Sequence, residues 1–370
     1  KTVSGGSSKQ DFEIEMIDYS ENHYFVDSVY TVTDENLNLF NRYFGYAEFI
    51  RPSDYDKYEI DKIEVWRSSK NQIDQTKEYT ANAVLRLPKL SVVQNYNAYR
   101  GELKADSGLT ARRKFAKLVE GTDYIVHRQT GFITFLTSIQ KEDVLAVAYR
   151  TVGGVQYGEF EANFGDDSIK VFKLIKPDNL QPSYKAAWRL QLKNIYSLPG
   201  KDIEKEGFSI DLKYRKSGEL PSNILDNRNL LQVFGLDKRD ENGGDNPDQK
   251  FDFLEGRTIW TKSGDIIFPV LEPFGKDFPT VFGKDTSTYN FPEIYTQLKS
   301  ETRQNIAKNK FILEGEFTGK ANDTYQIGFN VVENSVKVKL NGRELSPGSD
   351  YVVDYNIGQV KIRNAEALAP

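Results

Sequence analysis

Alternation of apolar and polar residues organises most of this chain, and it is clearest in a segment that occurs twice. Residues Gly121–Phe135 read GTDYIVHRQTGFITF, and residues Gly348–Ile362 read GSDYVVDYNIGQVKI. The matched pairs are Gly121/Gly348, Asp123/Asp350, Tyr124/Tyr351, Val126/Val353, Gly131/Gly358, Ile133/Val360 and Phe135/Ile362. All pairs are separated by the same number of residues, so the copies align without a gap and indicate a duplicated structural unit.

Each copy is predicted to form a β-hairpin. Apolar residues at every second position place one row of side chains on a single face of a sheet. The central glycine adopts positive φ angles at no steric cost, as tight hairpin connections require. The Gly-x-Asp at the start supplies turn-forming residues. Because a hairpin cannot bury its apolar face alone, each copy is expected to pack on a further sheet.

Similar patterns predict short strands along most of the chain and a few helices. The main predicted strands are Asp11–Ile17, Asn82–Leu87, Ala187–Tyr196, Phe208–Tyr214 and Phe311–Phe317, with a tight hairpin at Thr258–Trp260 and Asp265–Phe268. The predicted helices are Glu35–Tyr43, Leu109–Lys117 and Pro292–Lys308.

The fold class expected from these elements is mainly β (α+β), with several domains built as β-sandwich or immunoglobulin-like units and a few peripheral helices. Residues 1–10 read as a linker. Residues 11–150 form an α+β domain that ends in the first GxDYxV hairpin. Residues 151–310 form a β-rich domain with an acidic loop and a helix at about 292–308, and residues 311–370 form a small sandwich-like unit with the second hairpin.

Composition narrows the classes of protein only a little. The chain has 370 residues with 23 Phe and 21 Tyr but 1 Met, and aromatic residues favour strands. Its net charge of -5 argues against a nucleic-acid binder, which would carry a basic face. The absence of cysteine excludes disulfides and thiolate metal sites. No apolar run reaches the ~18 residues of a membrane-spanning helix.

The densest group of candidate metal-ligand oxygens lies in Asp237–Asp252, DKRDENGGDNPDQKFD. Ca²⁺ prefers several oxygen ligands from a flexible loop that contains glycine. The spacing departs from the EF-hand loop, because Gly243 and Gly244 interrupt it and no Glu follows at the expected place. We predict a calcium site, and the alternative is a solvated acidic turn with Asn242-Gly243 as its turn signal. The candidate ligands are Asp237, Asp240, Asn242, Asp245, Asp248 and Asp252.

The segment FPVLEPFG, which follows the tight hairpin, is the candidate partner-binding segment. Its two prolines, Pro269 and Pro273, hold the backbone in an irregular, extended form. Alternatively, the segment covers a sheet edge or closes a core. The residues that it would present to a partner are Phe268, Leu271 and Phe274.

Standard catalytic motifs are missing from the sequence. The two histidines, His23 and His127, lie neither in an HExxH motif nor beside a nucleophile elbow, and every Gly-Lys is followed by Asp or Ala, which breaks the P-loop pattern. His127 aligns with Asp354 of the second hairpin, so we interpret it as a surface residue beside a turn. Paired carboxylates for glycoside hydrolysis stay open, because their geometry is three-dimensional. We expect no enzyme and no required cofactor.

Several stretches in one order resemble a known family. They are ENHYFVDSVYTV, IDKIEVWRSS, the DYxV hairpin followed by EDVLAVAYR, WRLQLKNIYSL, LLQVFGLDKRDENGG, FDFLEGRTIW, GDIIFPVLEPFG and DYVVDYNIGQVKI. This set resembles the SprA (Sov) family, the outer-membrane translocon of the type IX secretion system and gliding motility in Bacteroidetes. The resemblance covers most of Glu21–Arg363.

The resemblance implies that the chain is an internal fragment of a much longer protein. Family members form a giant β-barrel pore with soluble domains attached. A barrel strand needs ~9–11 residues with a lipid-facing apolar row, and the best alternating run here, Phe311–Phe317, is shorter. We therefore assign the chain to soluble domains that cap, line or support the pore.

The partners and location expected from the resemblance are those of the translocon. The partners are the rest of the barrel, an outer-membrane protein of the PorV type, a plug protein and exported proteins, with no nucleic acid. The location is outer-membrane-associated and extracytoplasmic, on the cell-surface or the periplasmic side. A cell-surface adhesin or carbohydrate-binding sandwich module is the second hypothesis, and a polysaccharide-active enzyme is the third.

Overall fold

A computed structural model gives the fold of this protein. It describes residues 8–31, 40, 53–68, 77–101, 109–165, 169–240, 242–283, 286–321, 324–326, 331–333, 335–340, 342–355 and 359–363. The predicted helix Glu35–Tyr43 lies outside these residues except for Phe40, and residues 1–7 of the predicted linker also lie outside them. Within the described ranges the secondary structure is mainly β, as the sequence predicts.

Strands form most of the regular structure. In chain order they are β1 (Ser8–Glu15), β2 (His23–Phe25), β3 (Ile60–Ser68), β4 (Glu78–Val84), β5 (Thr110–Lys117), β6 (Tyr124–His127), β7 (Phe132–Phe135), β8 (Val144–Thr151), β9 (Gln156–Tyr157), β10 (Lys170–Lys176), β11 (Ile195–Ser197), β12 (Gly200–Tyr214), β13 (Ile224–Leu225), β14 (Arg228–Asn229), β15 (Ile259–Trp260), β16 (Asp265–Ile267), β17 (Phe311–Ala321), β18 (Thr324–Gln326), β19 (Lys339–Leu340), β20 (Arg343–Glu344), β21 (Tyr351–Asp354) and β22 (Gln359–Ile362). Both β12 and β17 are longer than predicted, because polar residues continue their ladder.

Helices in the described residues are single turns. They are α1 (Leu90–Val93), α2 (Lys185–Trp188), α3 (Leu230–Val233), α4 (Glu293–Thr296) and α5 (Lys299–Thr302), with 3-10 turns at Ser28–Thr31, Ser53–Tyr58, Asn97–Tyr99, Glu161–Asn163, Thr280–Phe282 and Ile306–Lys308.

Three helix and strand predictions are corrected by these bounds. The predicted helix Leu109–Lys117 is strand β5, which pairs with β4 along its whole length, so sheet formation outweighs local propensity. The predicted helix Pro292–Lys308 is broken at Gln297, whose φ and ψ of -126° and 165° are extended. The predicted strand Ala187–Tyr196 is mostly helix α2 and a loop, and only its end joins β11.

Five strands close into a small barrel. The order is β10-β4-β5-β3-β8, with β8 pairing back to β10 and β9 attached outside β8. Only β10 and β4 run parallel. Aromatic rings pack between the strands, and Trp66 of β3 stacks on Phe172 of β10 with ring centroids 4.7 Å apart. Every residue of β10 is buried, as expected for a strand that is covered on both faces.

A three-stranded sheet, β1-β17-β12, stands apart from the barrel. Phe12 and Ile14 of β1 lie in the core, whereas the opposite face is charged. In this register Glu13, Glu314 and Asp211 form one cross-strand row. The first strand begins at Ser8, so residues 8–10 of the predicted linker belong to β1. This strand pairs with β17 and not with a described strand of the predicted 11–150 domain.

The two matched segments form hairpins with identical register. Tyr124 pairs with Phe135 as Tyr351 pairs with Ile362. In each copy the Gly-x-Asp glycine has a positive φ, 83° and 87°, and donates its N–H to the tyrosine carbonyl at 2.7 Å. Each copy also pairs with an earlier strand, β2 or β18, at the equivalent positions. The repeat predicted from sequence is therefore a three-stranded unit rather than a bare hairpin.

A further copy of this unit lies between the other two in the chain, at Leu254–Ile267. In chain order, the first unit therefore contains β6 and β7, this copy is the second unit, and the third unit contains β21 and β22. Gly256 has φ of 77° and donates to the carbonyl of Ile259 at 2.9 Å. Thr258 replaces the aspartate, and its hydroxyl accepts the N–H of Leu254 at 3.0 Å. The earlier strand here is β11, which pairs with β16. The sequence predicts this hairpin but not its likeness to the two GxDYxV hairpins, because the aspartate is absent and the loop is shorter.

Buried residues form two large cores and smaller clusters. One core fills the barrel and the first repeat unit, and another lies between the β1-β17-β12 sheet and the second repeat unit. A small cluster around Tyr351 belongs to the third unit. No helix in the described part of the chain is long and apolar enough to span a membrane.

Candidate functional site

The acidic loop that follows α3 is braced by two of its own carboxylates. Asp237 is 1% exposed, and its carboxylate accepts the backbone N–H groups of Asp248 and Gln249 at 3.1 and 2.7 Å. Asp252 accepts those of Lys238 and Arg239 at 2.7 and 3.3 Å. These reciprocal bonds fasten the beginning of the loop to its end, because carboxylate–amide bonds are stronger than neutral ones.

Other predicted calcium ligands also bind backbone. One oxygen of Asp240 accepts the N–H groups of Asn242 and Gly244, both at 2.9 Å, which is the geometry of an Asx turn. Asp248 accepts the N–H of Lys250 at 3.0 Å. No three acidic or histidine side chains converge in the described residues, which omit Glu241 of this loop. The geometry matches the acidic-turn alternative, and the calcium site stays a prediction.

Burial also affects Asp252, the second of the two bracing carboxylates. Desolvation raises the pKa of Asp252, and the nearby carboxylates of Asp237 and Asp248 raise it further, while the bonds from Lys238 and Arg239 oppose the shift. The negative charges of the loop therefore repel one another. The backbone N–H groups that they accept hold them together despite this repulsion.

A cleft of about 840 Å³ separates this loop from the solvent face of β12 and β17. Its apolar wall consists of three half-buried rings. The ring of Phe208 lies 5.6 Å from that of Phe251 and 5.1 Å from that of Phe253, measured between centroids. Charged side chains form the floor and the rim: Lys205, Asp211, Lys213, Arg239, Asp240, Asp248, Lys250, Asp252 and Glu314.

A large bulge in β12 builds one side of the cleft. Glu204 pairs with Thr318 and Ser209 pairs with Glu316, so four residues of β12 stand opposite one residue of β17. Gly207, with φ of 74°, turns the bulged chain. The bulge carries Phe208 out of the ladder and towards the loop. The sequence prediction missed it because it began the strand at Phe208.

The FPVLEPFG segment mostly closes a core. Phe268 and Phe274 are fully buried and pack on Phe234 and on each other. Their rings are therefore not presented to a partner, which corrects the prediction for these two residues and supports the core-closing alternative. Leu271, the third predicted residue, is half-buried and lines a second cavity.

This second cavity, of about 360 Å³, contains a buried lysine that the sequence did not single out. The ammonium of Lys193 donates to the carbonyl oxygens of Trp188 and Gln191 at 3.1 and 3.2 Å and lies 4.2 Å from the Trp188 ring centre. Burial lowers the pKa of Lys193 to about 7. Lys193 lies in the predicted strand Ala187–Tyr196, where the pattern gave no sign of a buried charge.

The two histidines meet at the contact between the first and second repeat units. Both bind the hydroxyl of Thr134, and the His127 ring stacks between Phe132 and Trp260, with centroids 4.1 and 4.0 Å away. His127 is thus half-buried in an aromatic sandwich, which corrects its interpretation as a surface residue beside a turn. Burial, together with the smaller effect of the neighbouring His23, lowers the pKa of His127 to about 3.

Comparisons with known proteins leave the chain without assigned relatives. No protein-family model matches it, and no curated protein matches it.

Proposed function

We propose that this chain contributes soluble structural and interaction domains to an SprA-like type IX secretion translocon in the outer membrane. The ordered stretches within Glu21–Arg363 support this proposal, because the residues that resemble the family lie in the small five-stranded barrel of this chain, in the middle sheets and in the last hairpin. The domains would support or cap the protein-conducting pore. The partners would be the rest of the translocon barrel, a PorV-like protein, the plug protein and exported proteins.

The observation that carries a scaffolding role is the threefold repeat of one hairpin unit. The first and second units are joined through Thr134, His127 and Trp260, so their sheets are held in one arrangement. The candidate reactive groups form structural hydrogen bonds: carboxylates of the acidic loop accept backbone N–H groups, and Lys193 donates to two carbonyl oxygens. This supports a binding rather than a catalytic role, whereas the proposed extracytoplasmic location comes from the resemblance alone.

The proposed sandwich architecture is supported by the packing of two sheets. The inner face of β1-β17-β12, with Phe12 and Leu313, shares a core with Tyr196 and Ile266 of the β11-β16-β15 sheet. Two sheets with a common apolar core are the basis of a sandwich. We propose that this pair forms the sandwich-like unit of the chain.

Deletion in the parent gene tests the proposed function. The segment that encodes residues 237–254 is replaced by a short Gly-Ser linker, and the tagged parent protein is purified from outer membranes. We expect the parent and its outer-membrane partners to be recovered, while secretion of type IX cargo falls. Normal secretion by this mutant, or a parent that never associates with an outer-membrane barrel, would contradict the proposal.

The cleft beside the acidic loop also favours a second candidate function. Phe208, Phe251 and Phe253 offer ring faces at an open surface, as a saccharide-binding adhesin module would. A glycan array separates the two candidates. Robust binding of defined glycans that Phe208→Ala abolishes would favour the adhesin.

A further inference from the structure

The wall of the 840 Å³ cleft can make apolar contacts but no hydrogen bonds. The ring of Phe208 packs tilted against Phe251 and edge-on against Phe253, and all three rings are half-buried. A phenylalanine ring has no polar atom, so its exposed face gains most from another apolar or aromatic group. This wall is suited to a single large side chain.

The carboxylates of the cleft are already engaged. Glu314 accepts Lys213 at 2.9 Å, and Asp211 accepts the amide of Asn223 at 3.1 Å. Asp240 and Asp252 accept backbone N–H groups, as described above. These bonds use one oxygen each of Glu314, Asp211 and Asp240 and both oxygens of Asp252, so the carboxylates of the cleft are held in place by the fold.

Two cationic side chains on the rim lack an ion-pair partner in the described part of the chain. Lys205, on the bulge, and Arg239, on the loop, form no ion pair with any residue in the described ranges. The Nε of Arg239 is also buried without an acceptor. An unmatched buried donor is costly, and a carboxylate is the acceptor that best fits a guanidinium. The rim thus calls for a negatively charged group beside the apolar one.

The cleft is also preformed. Asp237 and Asp252 brace the loop, and β12 packs directly on Gly315, where a Cβ would lie 2.0 Å from the carbonyl oxygen of Ser209. A preformed site loses less entropy on binding. Its volume lies in the range of ligand-binding clefts and exceeds what a single ion needs.

We propose that this cleft binds an extended polypeptide segment in which an aromatic side chain is flanked by acidic residues. The aromatic ring packs on the wall of three phenylalanines, and the flanking carboxylates pair with Lys205 and Arg239. The inference rests on the proposed function, since it names the surface by which the chain would hold an exported protein or a translocon partner. The apolar wall and the two cations on the rim favour such a peptide, and a saccharide is the alternative that the test distinguishes.

Fluorescence anisotropy with the purified chain tests this inference. The probes are three fluorescein-labelled nonapeptides of Gly and Ser with a central Glu-Phe-Glu, Lys-Phe-Lys or Glu-Ala-Glu. We expect the first to bind at least tenfold more tightly than the other two. Phe208→Ala should weaken it at least tenfold, whereas Phe282→Ala, which truncates a half-buried ring elsewhere, should leave its Kd unchanged. Lys205→Glu, on the exposed bulge, should shift the preference towards the Lys-Phe-Lys peptide.

Three results would overturn the inference: equal affinity for all three peptides, no binding of any at millimolar concentration, or unchanged binding by Phe208→Ala. Circular dichroism melts of each variant show whether it is folded, and Lys205→Glu tests the site without removing core volume. Glycan binding that Phe208→Ala abolishes, with no peptide binding, would assign the cleft to saccharides. If the peptides fail but the loop replacement still blocks secretion, the proposed function stands and only the cleft inference falls.

Discussion

His23 and His127 bind the same hydroxyl oxygen. The Nδ1 of His23 lies 3.0 Å from Thr134 Oγ1, and the Nε2 of His127 lies 2.9 Å from it. The threonine hydroxyl has one hydrogen, so one imidazole accepts it and the other donates to the oxygen. The accepting ring must therefore be neutral, and burial, which lowers the pKa of both histidines, favours the neutral form of the donating ring as well. The nearest carboxylate, that of Asp265, lies 3.8 Å from His23 Nε2, which is too far for a direct hydrogen bond.

Acid should weaken the protein through this pair. Burial lowers the pKa of both histidines in the folded state, that of His127 to about 3, from the ordinary value of 6.5. The unfolded chain therefore takes up protons first as the pH falls below 6.5, and stability declines. For His127 alone the loss by pH 4.5 is about 2–3 kcal/mol. Urea unfolding between pH 7.5 and 4.5 measures it.

The variant His127→Phe is the matched control for the acid effect. It keeps the stacking between Phe132 and Trp260 but removes one titrating group, so its stability should depend less steeply on pH. Equal slopes of stability against pH for the variant and the unmodified chain would show that the histidine pair does not cause the loss.

The two glycines of the first hairpin should respond very differently to alanine. Both have positive φ, 83° at Gly121 and 70° at Gly131. A Cβ at Gly121 meets nothing within 4 Å, whereas one at Gly131 would lie 2.2 Å from the ring of Tyr30. We expect Gly121→Ala to cost about 1–2 kcal/mol of backbone strain, and Gly131→Ala about 3–5 kcal/mol because overpacking is added. Chemical denaturation measures both, and equal losses would contradict the contact with Tyr30.

What the sequence predicted correctly depended on local turn chemistry. The GxDYxV hairpins were predictable because Gly121, Asp123 and their equivalents form bonds within a few residues, and these bonds leave a readable pattern. The kinship of the middle unit was not predictable, because Thr258 replaces the aspartate and makes an equivalent bond. The likeness in sequence was lost at this position, whereas the geometry of the hydrogen bond was kept.

Errors arose where distant segments decide the structure. Leu109–Lys117 has a helical pattern, yet it pairs with β3 and β4, and neither pairing is visible locally. The cleft depends on a bulge opposite β17, about a hundred residues later in the chain, and on a loop whose carboxylates bind backbone. The acidic residues were correctly located as a loop, but sequence alone could not tell a metal site from a self-braced turn.

Lys193 should make the protein more stable in mild alkali. Burial lowers its folded-state pKa to about 7 from 10.5. Between these values the unfolded chain holds the proton and the folded chain does not, so stability rises with pH. The gain from pH 7 to pH 10 is about 2–4 kcal/mol. Lys193→Met should flatten this rise, whereas Lys276→Met, at an exposed lysine of the same cavity, should not; two identical profiles would refute the assignment.

The acidic loop can be tested separately as a brace and as a calcium site. Asp237→Asn keeps the side-chain size but replaces one acceptor of a backbone N–H by an amide donor, so we expect a loss of about 2–3 kcal/mol. Asp245→Asn, at an exposed position of the loop, should cost less than about 0.5 kcal/mol. Equal effects of the two substitutions would argue against the brace.

The calcium site is tested by thermal melts of the unmodified chain with excess chelator or with millimolar Ca²⁺. Binding to the folded state raises the melting midpoint, by about 2.7 kcal/mol of stability at a concentration of 100 Kd. Asp245→Asn should reduce this shift if Asp245 is a ligand, although it leaves the brace intact. An unchanged midpoint together with a destabilised Asp237→Asn would mean that the carboxylates serve the backbone alone, because the loop then owes its order to N–H donors and not to a cation.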